Sequence, residues 1–172
     1  MKQRMDYSAA NCSVAAALSV VGEKWTLLVL REAFYGIKRF DEMQKVLGCA
    51  RNVLSDRLAT LVEAGILERS HYREHGQRER PEYHLSKKGS DLFVVLLALM
   101  QWGDQWLAKD GEPPVAVLHN GCGLAVFAEM RCADGHGPLT AKDIYAKPGP
   151  AAILNRRNDE VIGTVEGPRG DA

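Results

Sequence analysis

The sequence lacks several features that would place it in common classes of protein. Its longest apolar run, from Leu92 to Met100, has nine residues and is too short to cross a bilayer. It shows no cationic start leading into an apolar leader segment. Its four cysteines are spread over 172 residues, which is not the pattern of a disulfide framework. We therefore predict a cytoplasmic protein with reduced thiols and no membrane partner.

The chain also lacks an excess of charge and a recognisable catalytic motif. Its 22 basic and 22 acidic residues cancel, which does not indicate a protein that binds nucleic acid. The balance is uneven along the chain, because residues 38–90 hold eleven Lys or Arg against eight Asp or Glu. No nucleophile–base pair, phosphate-cradling loop or pair of catalytic carboxylates can be placed, so we predict that the protein is not an enzyme.

The sequence does contain a series of short amphipathic segments that end at glycines. The helical spacing of apolar residues predicts helices over residues 12–21, 23–34, 39–47 and 51–64. The glycines that end them are Gly22, Gly36, Gly48 and Gly65. The third and fourth helices are short and joined by a glycine-containing turn, which is the pattern of a helix-turn-helix unit.

The fourth predicted helix has two different faces. Its buried side is formed by four aliphatic residues at helical spacing: Leu54, Leu58, Leu61 and Val62. The opposite face begins with Arg51, Asn52 and Ser55, and Arg57 flanks it. Arg suits guanine edges and Asn suits adenine edges in a major groove, so this face is predicted to contact bases. A merely solvated helix face is the alternative.

A hairpin and a long helix follow. Alternating residues after Gly65 predict two strands around a tip at Glu74-His75-Gly76-Gln77. Arginines lie near this tip at positions 73, 78 and 80. Ser86 is predicted to cap a helix that reaches about Leu107 and is apolar nearly all round. A second copy of the chain is the simplest cover for such a helix.

The order and spacing of these segments resemble the HxlR family of bacterial transcriptional regulators over residues 11–108. The matching segments are VGEKWTLLVLREAFYG, RFDEMQKVLG, VLSDRLATLVEAGILER and PEYHLSKKG, together with Cys12 and Trp102. The resemblance implies an α+β, mainly α fold: a winged helix-turn-helix with a long C-terminal dimerisation helix and a small β-hairpin-like extension. The domains expected are residues 1–110 for DNA binding and dimerisation, 111–147 for a β-rich extension, and 148–172 for a flexible tail. Two short strands are predicted in the extension, over residues 115–118 and 124–130.

The family likeness also implies a function. A homodimer would hold two recognition helices at successive major grooves of a palindromic operator, ~34 Å apart. Its partner is double-stranded DNA, and we expect a repressor released by a thiol-reactive or small-molecule signal. The residues predicted to contact DNA are Arg39, Arg51, Asn52, Ser55, Arg57, Arg73, Arg78 and Arg80. A winged-helix module that docks protein without specific DNA binding is the rival interpretation.

The sequence leaves alternative roles for Arg57 and for the arginines near the hairpin tip. Arg57 either anchors the recognition helix to the body of the protein or binds a phosphate of the DNA. Arg73, Arg78 and Arg80 would contact phosphates or probe the minor groove, setting affinity more than sequence choice. A pocket between the second helix and the long helix is expected to suit an apolar effector.

The cysteines suggest two further sites. If Asn11 caps the first helix, Cys12 lies in its first turn, where the helix dipole favours a thiolate. The family resemblance implies an oxidant sensor there, and a small buried packing residue is the alternative. His119, Cys122, Cys132 and His136 have spacings that would suit one tetrahedral zinc ion, although a hairpin held by packing is the alternative. No other cofactor is predicted.

Overall fold

The computed structural model describes residues 6–73, 75–76, 78–108 and 112–155. Its helices and strands are α1 (Ser13–Val21), α2 (Lys24–Phe34), α3 (Phe40–Leu47), α4 (Arg51–Glu63), β1 (Leu67–Tyr72), β2 (Arg80–Leu85), α5 (Lys87–Ser90) and α6 (Phe93–Leu107). The predicted α+β, mainly helical class and the helix-turn-helix of α3 and α4 are confirmed.

The larger of two compact units comprises Ala17–Tyr145. Its core lies between α2, α3, α4 and the start of the hairpin, and the side chains buried there include Val29, Leu30, Met43, Leu54, Leu58, Leu61, Ile66 and Leu67. The stripe of leucines expected on α4 is therefore buried as predicted. Cys49 is also buried, which agrees with a core position for this thiol.

The turn between α3 and α4 depends on a glycine. Gly48 ends α3 in the left-handed conformation, with φ of 65°, and its N–H donates to the carbonyl oxygen of Gln44 at 2.9 Å. Only glycine adopts this conformation without steric cost. Because the chain turns back at this point, α4 begins at residue 51 with its apolar stripe already facing the core.

The hairpin is antiparallel, with a register that runs from Leu67 opposite Leu85 to Tyr72 opposite Arg80. The other edge of β2 meets the segment before α3, where the N–H of Tyr83 donates to the carbonyl oxygen of Lys38 at 2.9 Å. His75 and Gly76 form a turn, as expected for the tip. Glu74 and Gln77, the outer residues of the predicted tip, lie outside the described residues.

The predicted long helix is two helices. Ser86 caps the first, α5, because its hydroxyl oxygen accepts from the N–H of Gly89 at 3.0 Å. The N–H of Leu92 then bonds to the carbonyl oxygen of Gly89, three residues back, at 3.0 Å. This tighter turn interrupts the α-helical ladder, so α6 begins only at Phe93.

The apolar surface of α6 is covered on one side only. Leu97 is buried, but a stripe along the opposite side is exposed: Val95 53%, Leu99 50%, Trp102 54% and Trp106 65%. These positions recur at spacings of three and four residues, so they share one helix face. This set is called the α6 stripe below. No single described helix is long and apolar enough to cross a membrane; α1 and α2 pass that test only together, as a sharply bent pair.

The segment over residues 112–145 differs from the two strands predicted there. Its pairing is limited to an isolated bridge between Leu118 and Ala125. The reason lies on α6, where the side-chain amide of Gln101 donates to the carbonyl oxygen of Val126 at 2.8 Å and accepts from the N–H of Ala128 at 2.9 Å. The N–H of Val126 still donates to the carbonyl oxygen of Val117 at 2.9 Å, but the bonds that would extend the pairing beyond this point go to the helix side chain.

The smaller unit contains residues from both ends of the chain. The N–H of Ser8 donates to the carbonyl oxygen of Ile153, and the N–H of Asn155 donates to that of Asp6, both at 2.8 Å. The rest of the predicted tail, residues 156–172, lies outside the described residues. The division into three domains stays a prediction.

The start of α1 corrects the expected cap. Asn11 does not precede the helix directly, because α1 begins at Ser13 and the side-chain amide of Asn11 donates to the carbonyl oxygen of Ala151 at 2.6 Å. Cys12 is the last residue before the helix, and its carbonyl oxygen accepts from the N–H of Ala16 at 3.0 Å. Its thiol therefore lies at the helix boundary, half-buried, and not in the first turn.

Candidate nucleic-acid interface

A cleft of about 1090 Å³ lies between the start of α4 and the hairpin. Eleven residues line it: Arg39, Phe40, Asp41, Arg51, Asn52, Ser55, Arg69, Tyr72, Arg80, Pro81 and Tyr83. We call it the α4–hairpin cleft. It brings together five of the eight residues that the sequence predicts to contact DNA, from three separate parts of the chain.

The first turns of α4 form one wall of the cleft. Because Leu54 and Leu58 are buried, the helix cannot rotate, and Arg51, Asn52 and Ser55 are left exposed on the opposite side. Ala50 makes no side-chain cap, and the first bond of the helix runs from the N–H of Leu54 to its carbonyl oxygen. The N–H groups of residues 51–53 therefore have no acceptor within the helix, which suits a phosphate.

The guanidinium group of Arg51 is held against α3. Its Cζ lies 4.6 Å from the ring centroid of Phe40, and its Nη1 lies 3.5 Å from the Oε1 of Gln44. The same Nη1 lies 3.6 Å from the Oδ1 of Asp41. Across the cleft, the Nη1 of Arg80 lies 3.3 Å from the other oxygen of that carboxylate, Oδ2. Asp41 thus pairs with one arginine from each wall.

Arg39 joins the start of α3 to the hairpin. Its Nε lies 3.5 Å from the Oε1 of Glu82, and its Cζ lies 4.2 Å from the ring centroid of Tyr72. Residues 39 and 82 also form an isolated backbone bridge. These contacts position the hairpin relative to α3, and they use the side chain that the sequence assigned to DNA.

Three predicted DNA-contact residues do not line the cleft. Arg57 is half-buried, and its Nε is buried and has no hydrogen-bond partner among the described residues. Arg73 and Arg78 are exposed on either side of the turn at residues 75–76. They extend the basic surface beyond the cleft, toward the end of the hairpin.

Six lining residues were not among those that the sequence predicted to contact DNA: Phe40, Asp41, Arg69, Tyr72, Pro81 and Tyr83. Arg69 and Tyr72 belong to β1, and the hairpin register could have found them, because they lie opposite Tyr83 and Arg80. Asp41 carried no comparable signal, since its place between two arginines depends on how α3, α4 and the hairpin pack.

The four residues proposed for zinc form two separate pairs. The Nδ1 of His119 lies 3.3 Å from the Sγ of Cys122, and the Sγ of Cys132 lies 3.3 Å from the Nδ1 of His136. Within the described parts of the chain, no three His, Cys, Asp or Glu side chains come together to hold a metal ion. The predicted four-ligand set is not assembled, because each pair closes its own tight turn.

An apolar pocket of about 260 Å³ lies between α2 and α6, where the sequence led us to expect one. Leu28, Phe34 and Phe93 are among its lining residues, and Val117 closes one side. The Phe34 and Phe93 rings pack at a centroid distance of 4.9 Å. Arg31, whose guanidinium group bonds to Glu32, is the charged side chain in its lining.

Comparison with known proteins gives consistent matches. The family model described as HxlR-like helix-turn-helix matches residues 20–111. An HTH-type transcriptional regulator of Mycobacterium tuberculosis strain H37Rv is 43% identical over 138 residues, which are 80% of this chain and 86% of the relative. A Synechocystis regulator of the same type is 34% identical over 100 residues. The matched region is 58% of this chain and 73% of the relative.

Solved structures are also similar to this chain. PA1607, described as a candidate transcription factor, is 37% identical with a TM-score of 0.70, and the match covers 81% of this chain and 96% of that one. The oxidized form of the redox regulator HypR is 28% identical with a TM-score of 0.51, covering 58% of this chain and 99% of that one. Transcription factors are thus the common theme among the relatives.

Proposed function

Because the chain belongs to the HxlR-like helix-turn-helix family of transcriptional regulators, we propose that it binds a specific operator through the α4–hairpin cleft and represses transcription. The single observation that carries this proposal is the convergence of Arg51, Asn52 and Ser55 with Arg80 around that cleft. Such a regulator works where the chromosome lies, so we place its action in the cytoplasm.

The geometry suits a division of the DNA contacts in which α4 contacts base edges and the hairpin arginines contact phosphates. The start of α4 would enter the major groove, where Asn52 and Ser55 carry exposed polar groups for base edges. The sugar-phosphate strand that separates the two grooves would lie in the cleft, against Arg69 and Arg80. Arg73 and Arg78, farther along the hairpin, would reach the next phosphates or the minor groove.

We propose a homodimer that associates through the α6 stripe. Four large apolar side chains at least half exposed on one helix face are unusual for a monomer. A two-fold interface pairs such a face with itself and needs no further partner. It also gives two copies of α4 with a fixed separation, which is the requirement for reading an inverted repeat.

Selection from a randomised duplex library tests this function. We expect the purified chain to enrich an inverted repeat whose half-sites are centred one helical turn, ~34 Å, apart. A variant that combines Arg51→Ala, Asn52→Ala and Ser55→Ala should enrich no such repeat while retaining weak binding to any duplex. If the wild-type chain enriches nothing and binds no duplex, the protein-docking interpretation of the winged fold replaces ours.

The signal that releases the operator is also part of the proposal. Similarity to a redox regulator in its oxidized form favours a thiol, and Cys12 at the boundary of α1 is our candidate. Diamide or hydrogen peroxide should then lower operator affinity in the wild type and leave Cys12→Ser unchanged. Equal losses in both proteins would remove Cys12 from this role.

The apolar pocket between α2 and α6 is the candidate for a small-molecule signal. It lies beside α2, whose Val29 and Leu30 belong to the core that supports α4. Filling it with Leu28→Trp should abolish any response of DNA binding to an apolar compound while leaving DNA binding itself intact. A compound response that survives this substitution would place the ligand elsewhere.

A further inference from the structure

The Asp41 carboxylate lies between the two arginines that line opposite walls of the α4–hairpin cleft. One oxygen is 3.6 Å from Arg51 on α4, and the other is 3.3 Å from Arg80 on β2. A DNA-binding surface normally presents free cations to phosphate, so an anion at this place opposes general binding. This arrangement needs a functional or a structural reason.

Helix stability alone does not single out Asp41. It lies in the first turn of α3, where a negative charge interacts favourably with the helix dipole. Glu42, the next residue, lies in the same turn and is also exposed, yet no arginine of the described residues forms an ion pair with it. The two residues share the dipole effect and differ in their position relative to the cleft, so they can be separated by experiment.

The pairing is of a kind that DNA can displace. The Asp41 side chain is 61% exposed, and the Arg51 and Arg80 side chains are 71% and 51% exposed. Exposed ion pairs are weak and screened by salt. A guanine edge offers Arg51 two acceptors in bidentate geometry, whereas the contacts to Asp41 and Gln44 are long, at 3.6 and 3.5 Å.

We propose that Asp41 is a specificity-determining residue that competes with DNA for Arg51 and Arg80. This inference rests on the DNA-binding function proposed above. On a matching operator, base contacts to Arg51 replace the carboxylate. On other DNA, Arg51 gains no such contact and stays with Asp41, so the carboxylate lowers non-specific binding more than operator binding. Its role is to widen the difference in affinity between the two kinds of site.

The test compares Asp41→Asn with Glu42→Gln on the selected operator and on a random duplex of equal length. Both variants remove one charge from the same turn of α3. We expect Asp41→Asn to raise affinity for random DNA roughly tenfold and for the operator less than about threefold. On random DNA, the slope of log affinity against log salt should become steeper by about one or two, because one or two more phosphates are contacted. Glu42→Gln should raise both affinities equally and slightly.

The outcomes separate this inference from the proposed function. If the wild type binds its operator but both variants behave alike, Asp41 has no special role. Weaker operator binding by Asp41→Asn would also overturn the proposal, because the carboxylate would then position Arg51 in the complex. A wild-type chain that binds neither duplex defeats the proposed function itself. Asp41→Ser repeats the measurement if the asparagine variant proves unstable.

Discussion

Arg39 and Glu82 are joined twice, by a backbone bridge and by their side chains, whose Nε and Oε1 atoms are 3.5 Å apart. Arg39 lies in the segment before α3, and Glu82 belongs to β2. The hairpin is therefore tied to the helix-turn-helix on the side that faces the α4–hairpin cleft. DNA that contacts both walls of the cleft needs this fixed spacing.

This relationship predicts the effect of two substitutions. Arg39→Ala should weaken operator binding roughly tenfold, because an ion pair and a cation–π contact with Tyr72 together hold the hairpin by about 1–2 kcal/mol. Glu82→Gln should also weaken binding, by a smaller factor. Fluorescence anisotropy with a labelled operator measures both. Tighter binding by Glu82→Gln would mean that Arg39 acts on phosphate and that Glu82 only competes with it.

A second prediction separates base reading from phosphate contact. Arg51→Ala should lower operator affinity by about ten- to a hundredfold and random-DNA affinity by less than about threefold, because a bidentate contact to guanine is worth ~1–3 kcal/mol. Arg78→Ala should weaken both by the same factor and reduce the salt slope by about one. Titrations at several salt concentrations supply both numbers. Equal losses on the two duplexes for Arg51→Ala would count against base reading.

The α6 stripe gives a prediction about assembly. Trp102→Asp should convert a dimer into a monomer, because it would bury a charge in the interface. Val46→Asp is the matched control, since Val46 on α3 is exposed to the same extent, 54%. Sedimentation velocity at micromolar concentration distinguishes the two states. Dimers of unchanged strength in Trp102→Asp would place the interface on another surface.

The contact between α6 and residues 126–128 can be tested by hydrogen exchange. Gln101→Leu removes both bonds of the amide, each worth ~0.5–1.5 kcal/mol, so exchange at the Ala128 N–H should speed up by roughly tenfold. Gln105→Leu, an exposed position on the same helix, is the control. Similar exchange in the two variants would show that other contacts hold this segment.

Local patterns predicted what depends on neighbours along the chain. The leucine stripe of α4 follows from its 3.6-residue period, and the ends of α3 and α4 follow from Gly48 and Gly65. The exposed positions of Arg51, Asn52 and Ser55 follow from that same stripe. These features account for most of the candidate interface.

Features that depend on contacts distant in sequence were missed or misjudged. The predicted strand over residues 124–130 has the right apolar pattern, but the amide of Gln101 bonds to the Val126 carbonyl and the Ala128 N–H, which a partner strand would otherwise pair. The position of Asp41 between Arg51 and Arg80 requires three elements to pack before it exists. The spacing of His119, Cys122, Cys132 and His136 suits zinc, yet each pair closes on itself.

Hydrogen exchange of the first turn of α4, with and without the selected operator, tests the DNA-binding cleft most directly. The N–H groups of residues 51–53 have no acceptor within the helix, so they exchange readily unless a ligand covers them. We predict strong protection there and at residues 69–73 when the operator is added, and none with an equal amount of free nucleotide. Protection confined to residues 112–145, with the start of α4 unchanged, would contradict the proposed interface.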